Sequence, residues 1–389
     1  MIEPRTLAGD ARLLHIGFRK CGTTGLQQAL RAARPELAAL GIAYPGHDLN
    51  HTTAALAVTG RTNGWVSLGA KPRTREKWDE LVETVRDIGP DRQIVIDSEF
   101  FDIADEATIR TVADGLGGDR VHVLATVRPL NKVLPSAWQQ NVQFGVRRSY
   151  DEWLDVVLNG DESMKTYRGF WERHSHGDVL ARWASVLGPE RLTLIVLDER
   201  DRQLPFRTVD KMLGVPAGTL KDLPERANRS LTGAEAELIR RVNVELMSRD
   251  VTWEEYSEWI RRGAAHQMWW KRTPGPDEPR VRTPGWALER AAEITADLPE
   301  RIEGLGIEIV GDLTRLATPM PPAGADEAVE GLVLLPIDAA VQALVGACLQ
   351  SRQLRPAPVK RAAPKDPTAR DVARLAAKAL RGRWRRLRR

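Results

Sequence analysis

The feature that most constrains this chain is a short apolar run at residues 13–18 that ends in Arg19-Lys20-Cys21-Gly22-Thr23-Thr24-Gly25. The chain then passes straight into a helical pattern with Leu26, Leu30 and Leu37 on one side. A brief apolar run bounded by turn residues reads as a buried strand. The turn at its end gathers the free N–H groups of the first helical turn and the positive end of the helix dipole, which suits an anion. Gly22 and Gly25 let the backbone approach closely, Thr23 and Thr24 offer hydroxyls, and Lys20 supplies a point charge. The plain alternative is an ordinary turn whose threonines only cap the helix.

Further apolar runs at 94–97, 121–127 and 192–197 read as buried parallel strands. A helical region carrying Trp138, Trp153, Trp171 and Trp183 separates the last two, and core packing is the expected use of most of these rings. Beyond residue 197 the pattern is mainly helical, over 235–249 and 286–304, with a Pro/Gly-rich break at 273–284. The expectation is an α/β fold: a P-loop-type, mostly parallel sheet flanked by helices, with a helical C-terminal extension. Ligands of such sheets bind beyond the carboxyl ends of the strands. Three segments are expected: an α/β domain over 1–317, a linker with a short apolar helix over 318–354, and a basic tail over 355–389.

The second half of the anion-binding pattern lies at the end of the 121–127 run, where Arg128-Pro129 comes next and Ser136 lies eight residues beyond Arg128. An arginine at a strand end can fork onto phosphate oxygens, or else pair with a carboxylate at the sheet edge. The first loop is not a Walker A loop, because Lys20 precedes Gly22 instead of following the last glycine. Its order instead resembles the phosphosulfate loop of sulfotransferases that use 3′-phosphoadenosine 5′-phosphosulfate (PAPS), usually Pro-Lys-x-Gly-Thr-Thr. Arg19 stands in place of the common proline, and Gly25 where many members carry Trp, Ser or Ala. The run from Arg128 to Gln140, with Tyr150-Asp151-Glu152-Trp153 after it, is similar to actinobacterial-type members. The resemblance extends in architecture over about residues 10–315, but only short segments are diagnostic.

That resemblance implies a PAPS-dependent sulfotransferase that releases 3′-phosphoadenosine 5′-phosphate (PAP). The loop residues Arg19, Lys20, Cys21, Gly22, Thr23, Thr24 and Gly25 would hold the donor. Arg128 and Ser136 would recognise its 3′-phosphate. Similar bacterial members carry an Asn/Ser pair in a segment like Arg226–Thr232, so Arg226 or Asn228 is expected to reach the nucleotide. Ser230 or Thr232 as a helix N-cap is a compatible reading. Sulfuryl transfer depends on positioning and charge stabilisation, with Lys20 at the leaving phosphate. The acceptor hydroxyl or amine still needs a base. Glu99, at the end of the 94–97 run, is the first candidate and His51 the second. His15 reads as a packed core residue, and His174 and His176 as solvated in a polar turn. Cys21 as a nucleophile lacks an identifiable partner base. No His/Cys cluster has metal-ligand spacing, so no metal is expected.

Composition limits the surroundings of this activity. Two cysteines, Cys21 and Cys348, are too few for a disulfide framework and point to a reducing, cytoplasmic setting. Residues 1–10 contain no apolar signal core. The apolar stretch 331–349 is interrupted by Pro336, Asp338 and Gln342, which disfavours a membrane span. The formal charge of +4 hides an asymmetry: from Arg352 onward there are 14 Lys/Arg and 2 Asp/Glu, a net of +12, leaving −8 for the rest. Within the tail, apolar residues recur at helical spacing. It is expected either to be solvated or to touch the inner face of an anionic membrane, with nucleic acid as the least favoured partner. A small-molecule, carbohydrate or lipid acceptor is expected. Two competing classes remain: a nucleotide kinase or NTPase using residues 94–97 to hold Mg²⁺, and a non-catalytic, membrane-associated nucleotide-binding protein.

Overall fold

A computed structural model describes residues 4–63, 70–223, 229–246, 248–317 and 334–351. Six parallel strands form one sheet in the order β2-β3-β1-β4-β5-β6. They are β1 (Arg12–His15), β2 (Ile42–Ala43), β3 (Gln93–Asp97), β4 (Val121–Val127), β5 (Leu192–Val196) and β6 (Glu308–Val310). The expected α/β architecture is the one observed, and the sheet is parallel throughout.

Alternation along each strand explains why both faces are covered. Leu13, Val95, Leu124 and Ile195 point into one apolar layer, shared with Leu26, Leu30 and Leu37 of the first two helices and Val209 and Met212 of a later one. Leu14, Ile94, Ile96, Val123, Ala125, Leu194 and Val196 point into the larger opposite layer. Strands buried on both faces cannot show polar alternation, which is why they read as continuous apolar runs. The tryptophans follow suit: Trp153 and Trp183 are fully buried in the larger layer, and Trp138 nearly so.

Several boundaries differ from the expectation for local reasons. The first strand stops at His15, because Gly17 takes a φ of +67° and turns the chain out of the sheet. The first helix is two, Thr23–Ala32 and Arg34–Ala39, separated at Ala33 with Pro35 opening the second. The expected 286–304 helix likewise divides into Gly285–Ile294 and Leu298–Glu303, again with a proline at the second start. The edge strands β2 and β6, two and three residues long, are too short to carry a periodic signal.

The strand order sets the ligand crevice. The chain leaves β1 toward β2 and β3 on one side and returns across β1 to β4, β5 and β6 on the other. The order reverses beside β1, so the loop after β1 and the residues after β4 share one crevice. A helical region after β5 closes over it, including the helices Gly233–Leu246 and Trp253–Tyr256, a π-helical stretch Ser257–Ala265, and the helix His266–Lys271. The helix Ile337–Ser351 packs against the π-helical stretch. The linker expected from 318 and the tail from 355 lie outside the described residues apart from this helix. Among the described residues, no helix is long and apolar enough to cross a membrane.

Candidate active site

The loop after β1 is built by two glycines with different tasks. A Cβ on Gly17 would lie 2.8 Å from Thr23 Cγ2 and 2.9 Å from Glu99 Cβ, so only glycine lets the loop pack against the end of β3. Gly22 caps the Thr23–Ala32 helix with a φ of +73°, and a Cβ there would strike Leu197 Cδ1 at 2.8 Å. No side chain caps this helix and no acidic residue sits in its first turn. Gly25, in contrast, has room for a Cβ at ordinary contact distance from Phe206.

Lys20 is the one non-glycine residue with positive φ, at +63°, among the described residues. That left-handed conformation costs roughly 1–2 kcal/mol for an L-residue, and such strain gathers at functional sites. Its ammonium makes no hydrogen bond or ion pair among the described residues. Burial lowers the pKa of Lys20 from the usual lysine value; the Glu99 carboxylate opposes this and the Arg128 guanidinium adds to it.

The neighbours of Lys20 are held by backbone. Cys21 is buried, its N–H donates to the Phe18 carbonyl at 3.1 Å, and its carbonyl accepts from Thr126 Oγ1 at 2.9 Å. Burial pushes the Cys21 thiol up to about 12, which keeps it protonated and unsuited to nucleophilic attack. Arg19 turns away from Lys20: its guanidinium lies over the Phe100 ring and 3.9 Å from the buried Asp102 carboxylate. Thr23 is buried against Gly17, whereas Thr24 is partly exposed.

Arg128 donates to the Lys20 carbonyl at 3.2 Å, so the ends of β1 and β4 are clasped directly. It also donates to Glu199 Oε1 at 3.3 Å, and Lys132 donates to the other oxygen of Glu199 at 3.0 Å. The carboxylate pairing weighed for Arg128 from sequence is therefore present, and its partner Glu199 is 64% exposed.

Lys20 and Ser136 line one cavity of about 280 Å³, together with Gln139, Arg229, Arg261 and Trp269 among others. Arg261 is the residue that sequence reasoning missed. Its guanidinium stacks over Phe144 at 3.9 Å and Trp253 at 5.2 Å, with no carboxylate against it among the described residues. Burial lowers its pKa to about 10. Irregular π-helical turns are frequent at functional sites, but a single sequence gives no signal for one. Arg229 reaches the cavity held by the buried Glu235, at 2.7 Å. Gln139 holds the adjoining backbone, donating to the Leu231 carbonyl at 3.2 Å and accepting its N–H at 3.1 Å. Arg226 and Asn228 lie outside the described residues.

Glu99 opens a short 3₁₀ turn after β3, whose start is capped by Ser98. Gln27, buried on the first helix, donates to Glu99 Oε2 and to Asp97 Oδ1, each at 3.0 Å. The sequence offers two glutamines between Leu26 and Leu30, and only the fold shows that Gln27 is the buried one. Asp97 is fully buried; its other oxygen lies 3.3 Å from His15 Nδ1. His51 is engaged by backbone on both ring nitrogens: Nδ1 accepts the Asp97 N–H at 3.1 Å, and Nε2 lies 3.1 Å from the Pro45 carbonyl. With neither nitrogen free, it is a poor proton acceptor. His174 and His176 correct the sequence expectation. Both are buried, His174 against Phe170 and His176 against Phe18, and burial lowers the pKa of His176 to about 4. Their polar neighbours in sequence concealed an apolar environment.

No protein-family model matches this sequence, and no curated protein matches it. Among solved structures, the chain is similar to a crystal structure of a sulfotransferase from Alicyclobacillus acidocaldarius. That likeness covers 79% of this chain and 96% of the other, with 15% identity and a TM-score of 0.43.

Proposed function

We propose that this protein transfers a sulfuryl group from PAPS to a hydroxyl or amine of a small-molecule, carbohydrate or lipid acceptor. One observation carries the reading: Lys20, strained and unpartnered among the described residues, and Arg261, with no carboxylate against it among them, line one cavity. Half-buried cations without a carboxylate against them are costly, and an anionic nucleotide relieves that cost at both positions. When bound, the donor supplies a sulfuryl group on a phosphosulfate linkage. Lys20 and the free N–H groups after Gly22 stabilise negative charge at the 5′-phosphate. Arg128 and Ser136 hold the 3′-phosphate, with Glu199 yielding Arg128 to the stronger anion. Glu99, oriented by Gln27, accepts the acceptor's proton.

The kinase reading draws less support. Asp97 is fully buried and is engaged by Gln27 and His15 inside the sheet end, so it is poorly disposed to hold Mg²⁺.

Thermal-shift measurements test the reading. PAP without Mg²⁺ raises the melting temperature, and at 100-fold excess over its dissociation constant the gain is about 2.7 kcal/mol. In Arg128→Ala, PAP loses its advantage over adenosine 5′-phosphate. A response only to Mg·ATP supports the kinase instead. Mass spectrometry of candidate acceptors for gain of one sulfo group identifies the second substrate.

Glu99→Gln lowers turnover about 100-fold or more and leaves PAP stabilisation unchanged, because the amide keeps the shape and the Gln27 contact but accepts no proton. Unchanged turnover assigns the proton to another group.

A further inference from the structure

The helix Ile337–Ser351 is held by one narrow face and bare on the other. Gly346 lies so close to Gly263 that a Cβ on Gly346 would overlap the Gly263 carbonyl. Gln267 contacts Gln342, and Arg272 pairs with Asp338 at 2.7 Å. These three contacts run antiparallel along the helix and bury Ala339, Ala343 and Gly346. The opposite face is Ile337, Val341, Leu344, Val345, Cys348 and Leu349, all exposed, with Ile337 at 83% and Leu344 at 67%. Asp338 is the only charged residue in this helix, and it is paired. A continuous uncharged apolar stripe of this kind on a protein surface marks an interaction site.

The charge of the adjoining C-terminal segment selects the partner. Residues 352–389 carry 14 Lys/Arg and 2 Asp/Glu. A second copy placed stripe to stripe would add a second segment of the same sign to the assembly and offer it no opposite charge. An anionic lipid surface satisfies both features: acyl chains accept the apolar stripe and headgroups attract the basic segment. Trp270, three residues after Gln267 on the neighbouring helix, is 49% exposed, a residue type suited to the headgroup level.

We propose that the outward face of Ile337–Ser351 docks this protein on an anionic bilayer as a peripheral, non-spanning contact. This inference is independent of the sulfuryl-transfer reading.

Vesicle cosedimentation of the full chain tests it. The protein is expected to bind vesicles of phosphatidylcholine with phosphatidylserine, more weakly as salt rises, and to stay in solution with phosphatidylcholine alone. The pair Leu344→Glu and Leu349→Glu lowers that affinity about tenfold or more, with circular dichroism and melting temperature unchanged. Leu344→Ser with Leu349→Ser, which adds no charge, weakens binding in the same direction. The proposal is overturned if anionic vesicles bind no protein, or if both double variants bind as the parent does, since the tail then acts alone. It is equally overturned if light scattering shows a dimer that these substitutions dissociate, because a second copy then covers the stripe.

Discussion

Replacing Lys20 with alanine lowers turnover about 100- to 1000-fold, the usual loss on removing one group that stabilises developing charge. The fold survives, because the ammonium makes no hydrogen bond or ion pair among the described residues. The backbone makes a sharper test. At a φ of +63° alanine inherits the strain of lysine, while glycine escapes roughly 1–2 kcal/mol of it at a cost of about 0.4–1 kcal/mol in unfolded-chain entropy. Lys20→Gly therefore melts no lower than Lys20→Ala, yet both are nearly inactive. Melting curves and initial rates of PAP formation check the pair. Normal turnover in either variant removes Lys20 from the chemistry. The pH dependence has a defined sign as well. Burial depresses the Lys20 pKa, so its charge destabilises the free protein below that pKa, and the penalty fades as pH rises through it. The alkaline limb of the rate profile consequently lies below the ordinary lysine value, and in Lys20→Arg it moves upward.

The core of the fold was legible because the central strands are buried on both faces and the loop after the first carries a dense polar signature. Lys20, Gly22 and paired threonines at a strand end are hard to explain by packing alone. Arg128 was readable as a strand-end arginine with two possible partners, an anion or a carboxylate, and the structure shows the carboxylate of Glu199 against it. What the sequence withheld depends on contacts between distant segments. Glu199 meets Arg128 across 71 residues, and nothing near either residue announces the pair. His176 looks solvated beside Ser175 and Asp178, but its ring is pressed on Phe18, far away in the chain. Arg261 sits in an ordinary helical sequence, and only the fold shows it packed on the Phe144 and Trp253 rings with no carboxylate against it among the described residues. Gln27 and Gln139 fall between: a glutamine pair beside an apolar helix face is visible in sequence, while which amide is buried and what it contacts are not.

The stability of the helical cover over the cavity rests on Glu235, and removing that carboxylate is the larger structural test. Its Oε1 accepts from Arg272 at 2.9 Å and Arg229 at 2.8 Å; its Oε2 accepts from Arg229 at 2.7 Å and the Thr232 N–H at 2.8 Å. Arg272 is itself nearly inaccessible and also pairs with Glu278 and with Asp338 of the docked helix. Removing Glu235 strips Arg229 of its carboxylate while Arg272 keeps Glu278 and Asp338, so the cost falls at the lower end for breaking a buried pair, about 3 kcal/mol. Glu235→Ala should thus lower the melting temperature by roughly 10 °C, and more than Glu235→Gln does. Burial favours the protonated acid at Glu235, but the bonds from Arg229, Thr232 and Arg272 outweigh it and hold the pKa below the usual glutamate value. A depressed carboxylate contributes stability that is complete above its unfolded pKa and lost as pH falls through the folded one. Denaturation below neutral pH should therefore be less steep in Glu235→Ala than in the parent. Because Arg229 lines the cavity, the same substitution weakens PAP binding, whereas Arg272→Met, which spares the Arg229–Glu235 pair, destabilises with little loss of affinity. Equal loss of PAP affinity in both variants would mean that Arg229 acts through the general integrity of the helical cover and not through its own contact with the ligand.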